Sequence, residues 1–181
     1  MHNTFKLIIA IVVSELAGII GSVFTTPSIA GWYAGIVKPT LNPPAWLFGP
    51  VWTTLFALMG IAAFLVWSSY APADASAFVK TSADKEAVAG KKASADKKKG
   101  IKIAFTLFGI QLVLNTLWSI IFFGLHSPGG ALVEIMFLWL AILATIITFY
   151  KISPPAGGLL LPYILWVSFA MYLNYGIWML N

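Results

Sequence analysis

Five stretches of this chain are long and apolar enough to cross a bilayer: residues 5–24, 45–70, 101–125, 131–150 and 157–180. A helix needs about 20 residues to traverse a hydrocarbon core about 30 Å thick. In lipid, every backbone N–H and C=O must be bonded within the chain, which leaves only helices and closed barrels. Barrel strands alternate apolar and polar residues over about ten positions, and these continuous runs do not. The connections Ser127-Pro128-Gly129-Gly130 and Ser153-Pro154-Pro155-Ala156 are short, so the last three helices must be antiparallel neighbours. The expected fold is all-α: one integral membrane domain over 1–181, a single bundle of five transmembrane helices. Composition agrees, with 60% hydrophobic and 9% charged residues, against about 45–50% and 25% in soluble domains. The first apolar run, about 18 residues, exceeds the 7–15 of a signal-peptide core and reads as a retained span.

Cysteine is absent and all eleven basic residues are lysines. Thiol nucleophiles, disulfides and Cys–metal sites are excluded, and the bidentate recognition that arginine provides is missing. The net charge of +5 is no sign of a nucleic-acid partner, because seven of the eleven lysines fall between Lys80 and Lys99. Residues 71–100 are rich in Ala, Ser, Lys and Asp and carry no apolar stripe. They are expected to form a flexible or partly helical loop, either a solvated insertion or a contact to lipid headgroups or a partner. Five spans put Lys6, the loop lysines, Lys102 and Lys151 on one side and Lys38 alone on the other. The positive-inside rule then places the N-terminus and the 71–100 loop in the cytoplasm.

The acidic groups within the spans are Glu15 and Glu134. Intramembrane carboxylates point to function by default. Glu134, expected in the first turn of its helix, has a simple alternative: it complements the helix dipole near the interface. Glu15 is deeper, and either binds a cationic group or bonds to a neighbouring helix in its protonated form. His2 is terminal and His126 lies in a loop, so no metal constellation exists.

Helical spacing gathers polar and aromatic residues on inward faces. Gln111, Asn115, Trp118, Ser119 and Phe122 share one face of the third span. Tyr163, Trp166, Ala170, Leu173 and Asn174 share one of the fifth, and Trp52, Phe56 and Met59 one of the second. Such faces serve either interhelical bonding or a pocket wall. A planar, largely apolar ligand with a polar edge suits the second use. Trp46, Trp67 and Trp178 lie near span ends and read as interfacial anchors. Ser14, Gly18 and Ser22 form a small-residue face for close packing within the bundle.

These residues resemble a known family. The carriers are Trp32-Tyr33 with Lys38-Pro39, and the run Pro43-Pro44-Ala45-Trp46-Leu47-Phe48-Gly49-Pro50-Val51-Trp52-Thr53 with Met59-Gly60. Leu114-Asn115, Trp118-Ser119, Phe122-Phe123-Gly124 and Pro128 follow, then Leu138-Trp139, Pro162-Tyr163, Trp166-Val167, Phe169-Ala170 and Leu173-Asn174. The chain is similar to the tryptophan-rich sensory protein/translocator protein family, also called peripheral benzodiazepine receptors, over nearly all its length except 71–100. The resemblance implies a five-helix, frequently dimeric protein that binds porphyrins such as protoporphyrin IX in a pocket among its helices, with no required cofactor. It implies that Tyr33 belongs to a loop capping the pocket. It further implies that Trp52, Asn115, Trp118, Trp166 and Ala170 line that pocket; Phe56, one turn from Trp52 on the same helical face, is expected beside them as a ligand-binding residue. Light-dependent porphyrin breakdown is attributed to some bacterial members, and Trp52 and Trp166 match the tryptophans implicated. Sterol-binding members carry an apolar–aromatic–basic pattern in the last helix. Here Tyr172–Asn181 contains no basic residue, which speaks against cholesterol as a ligand. Three functions stay open: a porphyrin receptor or carrier, a photo-oxidative enzyme, and a facilitator of hydrophobic ligand movement across the membrane.

Overall fold

A computed structural model describes residues 3–69 and 84–181. The elements are α1 (Asn3–Ala30), a short α2 (Trp32–Gly35), a 3-10 turn (Ala45–Leu47) leading into α3 (Phe48–Ser68), and α4 (Asp84–Ser119). A π turn (Ile120–Gly124) follows α4, then α5 (Pro128–Ile152), α6 (Pro154–Gly158) and α7 (Leu161–Leu180). No strand occurs among the described residues. Among these same residues, five helical segments are long and apolar enough to span a membrane.

Local sequence sets the helix ends. Ser127 caps α5 by accepting from the Gly130 N–H at 3.3 Å, with Pro128 in the first turn, where a missing N–H costs nothing. Lys151 sits in the last turn of α5, where a cation complements the helix dipole. Extended Ser153 stops the helix and Pro154 starts the next. At the second span, Leu47 N–H bonds to Pro44 C=O at 3.0 Å, so Pro43-Pro44 does open this helix, through a single 3-10 turn.

Three expectations change. The first helix runs on through Pro27 to Ala30, beyond the 24 at which its hydropathy falls. The Lys-rich segment expected as a loop over 71–100 lies partly outside the described residues; from Asp84 onward it is helix, continuous with the third span. At 1.5 Å per residue, the 36 residues of α4 reach about 54 Å, so its first turns project past the hydrocarbon core. Finally, the small-residue packing face of α1 is Ala10, Ser14, Ala17 and Gly21, all buried. Gly18 is tucked against Phe56, and Ser22 is exposed and bonds back to its own helix at Ile19 C=O.

Glycine lets two of the helix backbones meet. A Cβ on Gly60 of α3 would lie 2.5 Å from the Ile11 Cα of α1. The two backbones therefore touch, which is how transmembrane helices gain dispersion contacts that lipid cannot match. Helix α1 also packs on α4, α4 on α5, and α5 on α7, while α3 rests on α6. Helix α3 meets α7 through side chains, Trp52 against Tyr163 and Phe48 against Trp166. The outward faces are apolar: Val12, Leu16, Ile20 and Val23 on α1, and Val133, Phe137 and Leu140 on α5, are exposed.

Gly60→Ala should push α1 and α3 apart and destabilise by about 1–3 kcal/mol. Gly109→Ala, where a Cβ meets nothing within 4 Å, should leave stability unchanged or slightly raised. Thermal unfolding of the two purified variants in one detergent measures the contrast.

Candidate functional site

The space between α1, α3, α4 and α7 is a cavity of about 350 Å³. Each element contributes a wall because its polar or small residues recur at helical spacing. Helix α4 supplies Asn115, Trp118 and Ser119, and the π turn adds Phe122 and Phe123. Helix α3 supplies Phe48, Trp52 and Phe56, and α7 supplies Trp166, Ala170 and Asn174. All seven residues singled out from the sequence, Tyr33, Trp52, Phe56, Asn115, Trp118, Trp166 and Ala170, line this one cavity.

Hydrogen bonds and ring contacts fix the wall positions. Trp118 Nε1–H donates to Asn174 Oδ1 at 3.0 Å, and Asn174 Nδ2–H donates to the Pro128 carbonyl at 2.6 Å. One asparagine thus joins α4, α7 and the start of α5. The Trp118 ring stacks on Phe122, centroids 5.0 Å apart and 20° from parallel. Asn115 Nδ2–H donates to the Tyr163 hydroxyl at 2.9 Å, and Tyr163 meets Trp52 edge-on at 6.3 Å. Phe48 braces Trp166 at 6.0 Å. The ring partners of the three lining indoles are other side chains: Phe56 and Tyr163 for Trp52, Phe122 and Phe123 for Trp118, and Phe48 and Phe169 for Trp166. Each is held by a neighbour and keeps a face or edge toward the cavity. Ala170 leaves width beside Trp166.

The π turn does local work. Its i→i+5 bond, Leu125 N–H to Ile120 C=O at 2.9 Å, widens the helix so that consecutive Phe122 and Phe123 are both buried. Single π turns of this kind favour functional sites. Both rings support the cap: Trp32 packs edge-on to Phe122 at 5.4 Å and stacks on His126 at 4.6 Å. His126 holds a left-handed backbone, φ 51°, a conformation uncommon for a residue with a side chain.

The cap is the segment from Trp32 to Pro44. Tyr33, 7% exposed, donates its hydroxyl to Asn42 Oδ1 at 2.9 Å. Burial pushes the phenol above its ordinary pKa, with the Asn42 bond opposing this, so Tyr33 stays a neutral donor at physiological pH. Lys38 Nζ lies 4.8 Å from the Tyr33 ring centroid and donates to Ile36 C=O at 3.1 Å. The Asn181 side chain clamps Val37 twice, accepting from its N–H at 2.9 Å and donating to its C=O at 3.0 Å.

Of the other candidates, one joins this cavity and the rest lie away from it. Glu15 lines the cavity on α1 and makes no hydrogen bond to a neighbouring helix among the described residues. Glu134 does not lie in the first turn of α5, because that helix begins at Pro128. It is buried, and neither carboxyl oxygen has a partner among the described residues, so the dipole explanation does not hold. Gln111 donates to Met59 Sδ at 3.6 Å; both sit in the core rather than on the cavity. Tyr163 lies behind the wall, fully buried. The α1 wall is what spacing missed: Thr25, Thr26 and Ile29 line the cavity unanticipated, and Gly18 and Ser22, expected on a packing face, line it with them and with Glu15. Its signal was a row of polar residues at helical spacing on an otherwise apolar helix.

These features define a multi-pass membrane protein whose helices enclose a ligand-sized aromatic cavity under a hydrogen-bonded cap. Residues 10–179 match the model of the TspO/MBR family. The "Tryptophan-rich protein TspO" of Archaeoglobus fulgidus is 39% identical over 179 residues, covering 99% of both chains. The human "Translocator protein" is 35% identical over 91% of this chain and 83% of its own. The "Tryptophan-rich sensory protein" of Cereibacter sphaeroides is 32% identical over 83% of this chain and 77% of its own. The chain belongs to the TspO/MBR family, and its five spans make it an integral multi-pass membrane protein.

Asn174→Leu should strand the Trp118 N–H and the Pro128 carbonyl, costing about 1–3 kcal/mol for each polar group left buried and unpaired. Thermal unfolding and the Trp118-dependent part of the emission spectrum, isolated with a Trp118→Phe control, report the loss.

Proposed function

We propose that this protein is a membrane receptor or carrier for protoporphyrin IX-like tetrapyrroles and similar flat hydrophobic ligands, acting in tetrapyrrole sensing, transport or regulation. One observation carries the reading. Indoles from three different helices, with Phe56, Phe122 and the Asn115 amide, surround a single cavity, whose volume falls in the usual range for small-molecule sites. Indole faces and edges suit a planar π-system. The Trp166 Nε1–H is buried with no acceptor among the described residues, and an acceptor on a ligand edge would satisfy it. The cavity wall offers no nucleophile paired with a base, so any chemistry would come from the ligand, with the protein supplying position.

Protoporphyrin IX added to the purified protein should quench tryptophan emission saturably and shift the porphyrin absorbance at micromolar concentrations. The Trp52→Ala/Trp166→Ala double variant should bind at least tenfold more weakly; equal binding would overturn the site. Illumination of the complex tests the alternative of photo-oxidative breakdown. A new absorbing product that requires Trp52 or Trp166 would make degradation the activity.

The same reading places the Lys-rich end in the cytoplasm. Lys6 reaches over the Trp67 ring at 5.7 Å, and Lys102 and Lys151 belong to this end of the bundle, with Lys38 at the other. A Ser94→Cys variant should react with an impermeant maleimide only in permeabilised cells, whereas labelling of intact cells from outside would invert the topology.

A further inference from the structure

The cavity has two chemically different ends. Its outer end shares Ile29, Tyr33 and Ala45 with a shallow recess beneath the cap. That recess is completed by Ala34, Lys38, Asn42 and Pro43-Pro44, so the two spaces adjoin across Ile29, Tyr33 and Ala45. Lys38 is the one lysine on this side of the membrane when the chain is threaded through five spans. Its ammonium is held at the mouth by the Tyr33 ring at 4.8 Å and by the Ile36 and Ala34 carbonyls at 3.1 and 3.4 Å. These contacts come from one side of the cap and position the charge without neutralising it. No carboxylate pairs with it among the described residues. The inner end carries the opposite chemistry: Glu15 lines it on α1. Glu15 precedes Ile29 by fourteen residues, or about 21 Å along the helix.

We propose that Lys38 is a specificity-determining residue of the cavity. It takes the carboxylates of a flat apolar ligand that carries them along one edge, and so fixes which edge faces the mouth. The proposal rests on the tetrapyrrole reading and adds the ligand's orientation and its anionic requirement. An ammonium beside an aromatic ring in a partly desolvated mouth is a strong partner for a carboxylate, because charge-assisted hydrogen bonds are about twice as strong as neutral ones. The acid at the inner end makes the reverse orientation the poorer one. The tryptophans then hold the ring without reading its edge, and Lys38 reads the edge without holding the ring.

The test compares protoporphyrin IX with its dimethyl ester, which has the same ring and no carboxylate. Both are titrated into the purified full chain, followed by porphyrin absorbance, for wild type, Lys38→Met, Lys38→Arg and the Trp52→Ala/Trp166→Ala variant. Methionine keeps the apolar stem against Tyr33. Lys38→Met should weaken the free acid about tenfold and leave the ester within about twofold, and Lys38→Arg should restore the acid. Equal weakening of acid and ester would mean that Lys38 only supports the cap, and no effect on either would mean that it reads nothing; both results overturn the orientation while leaving a tryptophan-dependent site intact. If neither compound binds, or the double tryptophan variant binds both normally, the tetrapyrrole reading falls and the orientation with it. Thermal unfolding of Lys38→Met at the wild-type midpoint excludes misfolding as the cause of a loss.

Discussion

In hydrocarbon, a polar side chain has only the protein to bond to, and this constraint organises the interior of the bundle. Few polar groups are buried among the described residues; Ser14 and Thr145 bond back to their own helices, and the buried amides Gln111, Asn115 and Asn174 join helices. Asn115 bonds Tyr163, tying α4 to α7. Trp118, Asn174 and the Pro128 carbonyl form a relay across α4, α7 and α5. Trp139 bonds Ser168, tying α5 to α7. Individual bonds of this kind contribute only about 0.6–2 kcal/mol, but each has a direction, and apolar packing between long helices has little. The bonds therefore set the rotation of each helix, and rotation decides which indoles face inward.

Close approach of backbones supplies the second constraint. Gly60 brings α3 into contact with α1 at Ile11, and Gly18 gives Phe56 a place against α1. Beyond Phe56 the same two helices become walls, with Ser22 and Thr26 on one side and Gly49 and Thr53 on the other. Tight packing at one end and an aromatic-lined space at the other are two parts of one arrangement. The residues that fill the first are small, and those that frame the second are large and braced by neighbouring rings.

Much of this was legible from periodicity alone. Five apolar runs specify five spans, because lipid permits no other way of satisfying their backbones. Amide, indole and hydroxyl residues three and four apart on α3, α4 and α7 specify inward faces, and these faces do converge. What spacing does not carry is depth. Gln111 and Asn115 share a face, yet one packs on Met59 in the core and the other reaches the cavity. Helix ends were also hidden. Hydropathy falls near residue 24, but the backbone continues through Pro27. Lysine and alanine between Asp84 and Gly100 read as loop because they offer no apolar stripe, although their intrinsic helix propensity is high. With α5 beginning at Pro128, Glu134 moved from a helix end to the interior. The π turn after Ser119 has no local sequence mark, since it answers to the packing of Phe122 and Phe123 beneath the cap.

The clamp between Asn181 and Val37 joins the cap to the end of α7, and Lys38 is the next residue along. Any widening of the mouth on this side must break both bonds of the clamp together, and the Tyr33–Asn42 bond if the whole segment lifts. At about 0.5–1.5 kcal/mol each, the two clamp bonds would add about 1–3 kcal/mol to the cost of lifting the cap from the end of α7. A latch of this kind slows arrival and departure by the same factor. It lengthens the residence time of a bound molecule while leaving its equilibrium affinity to the walls behind it.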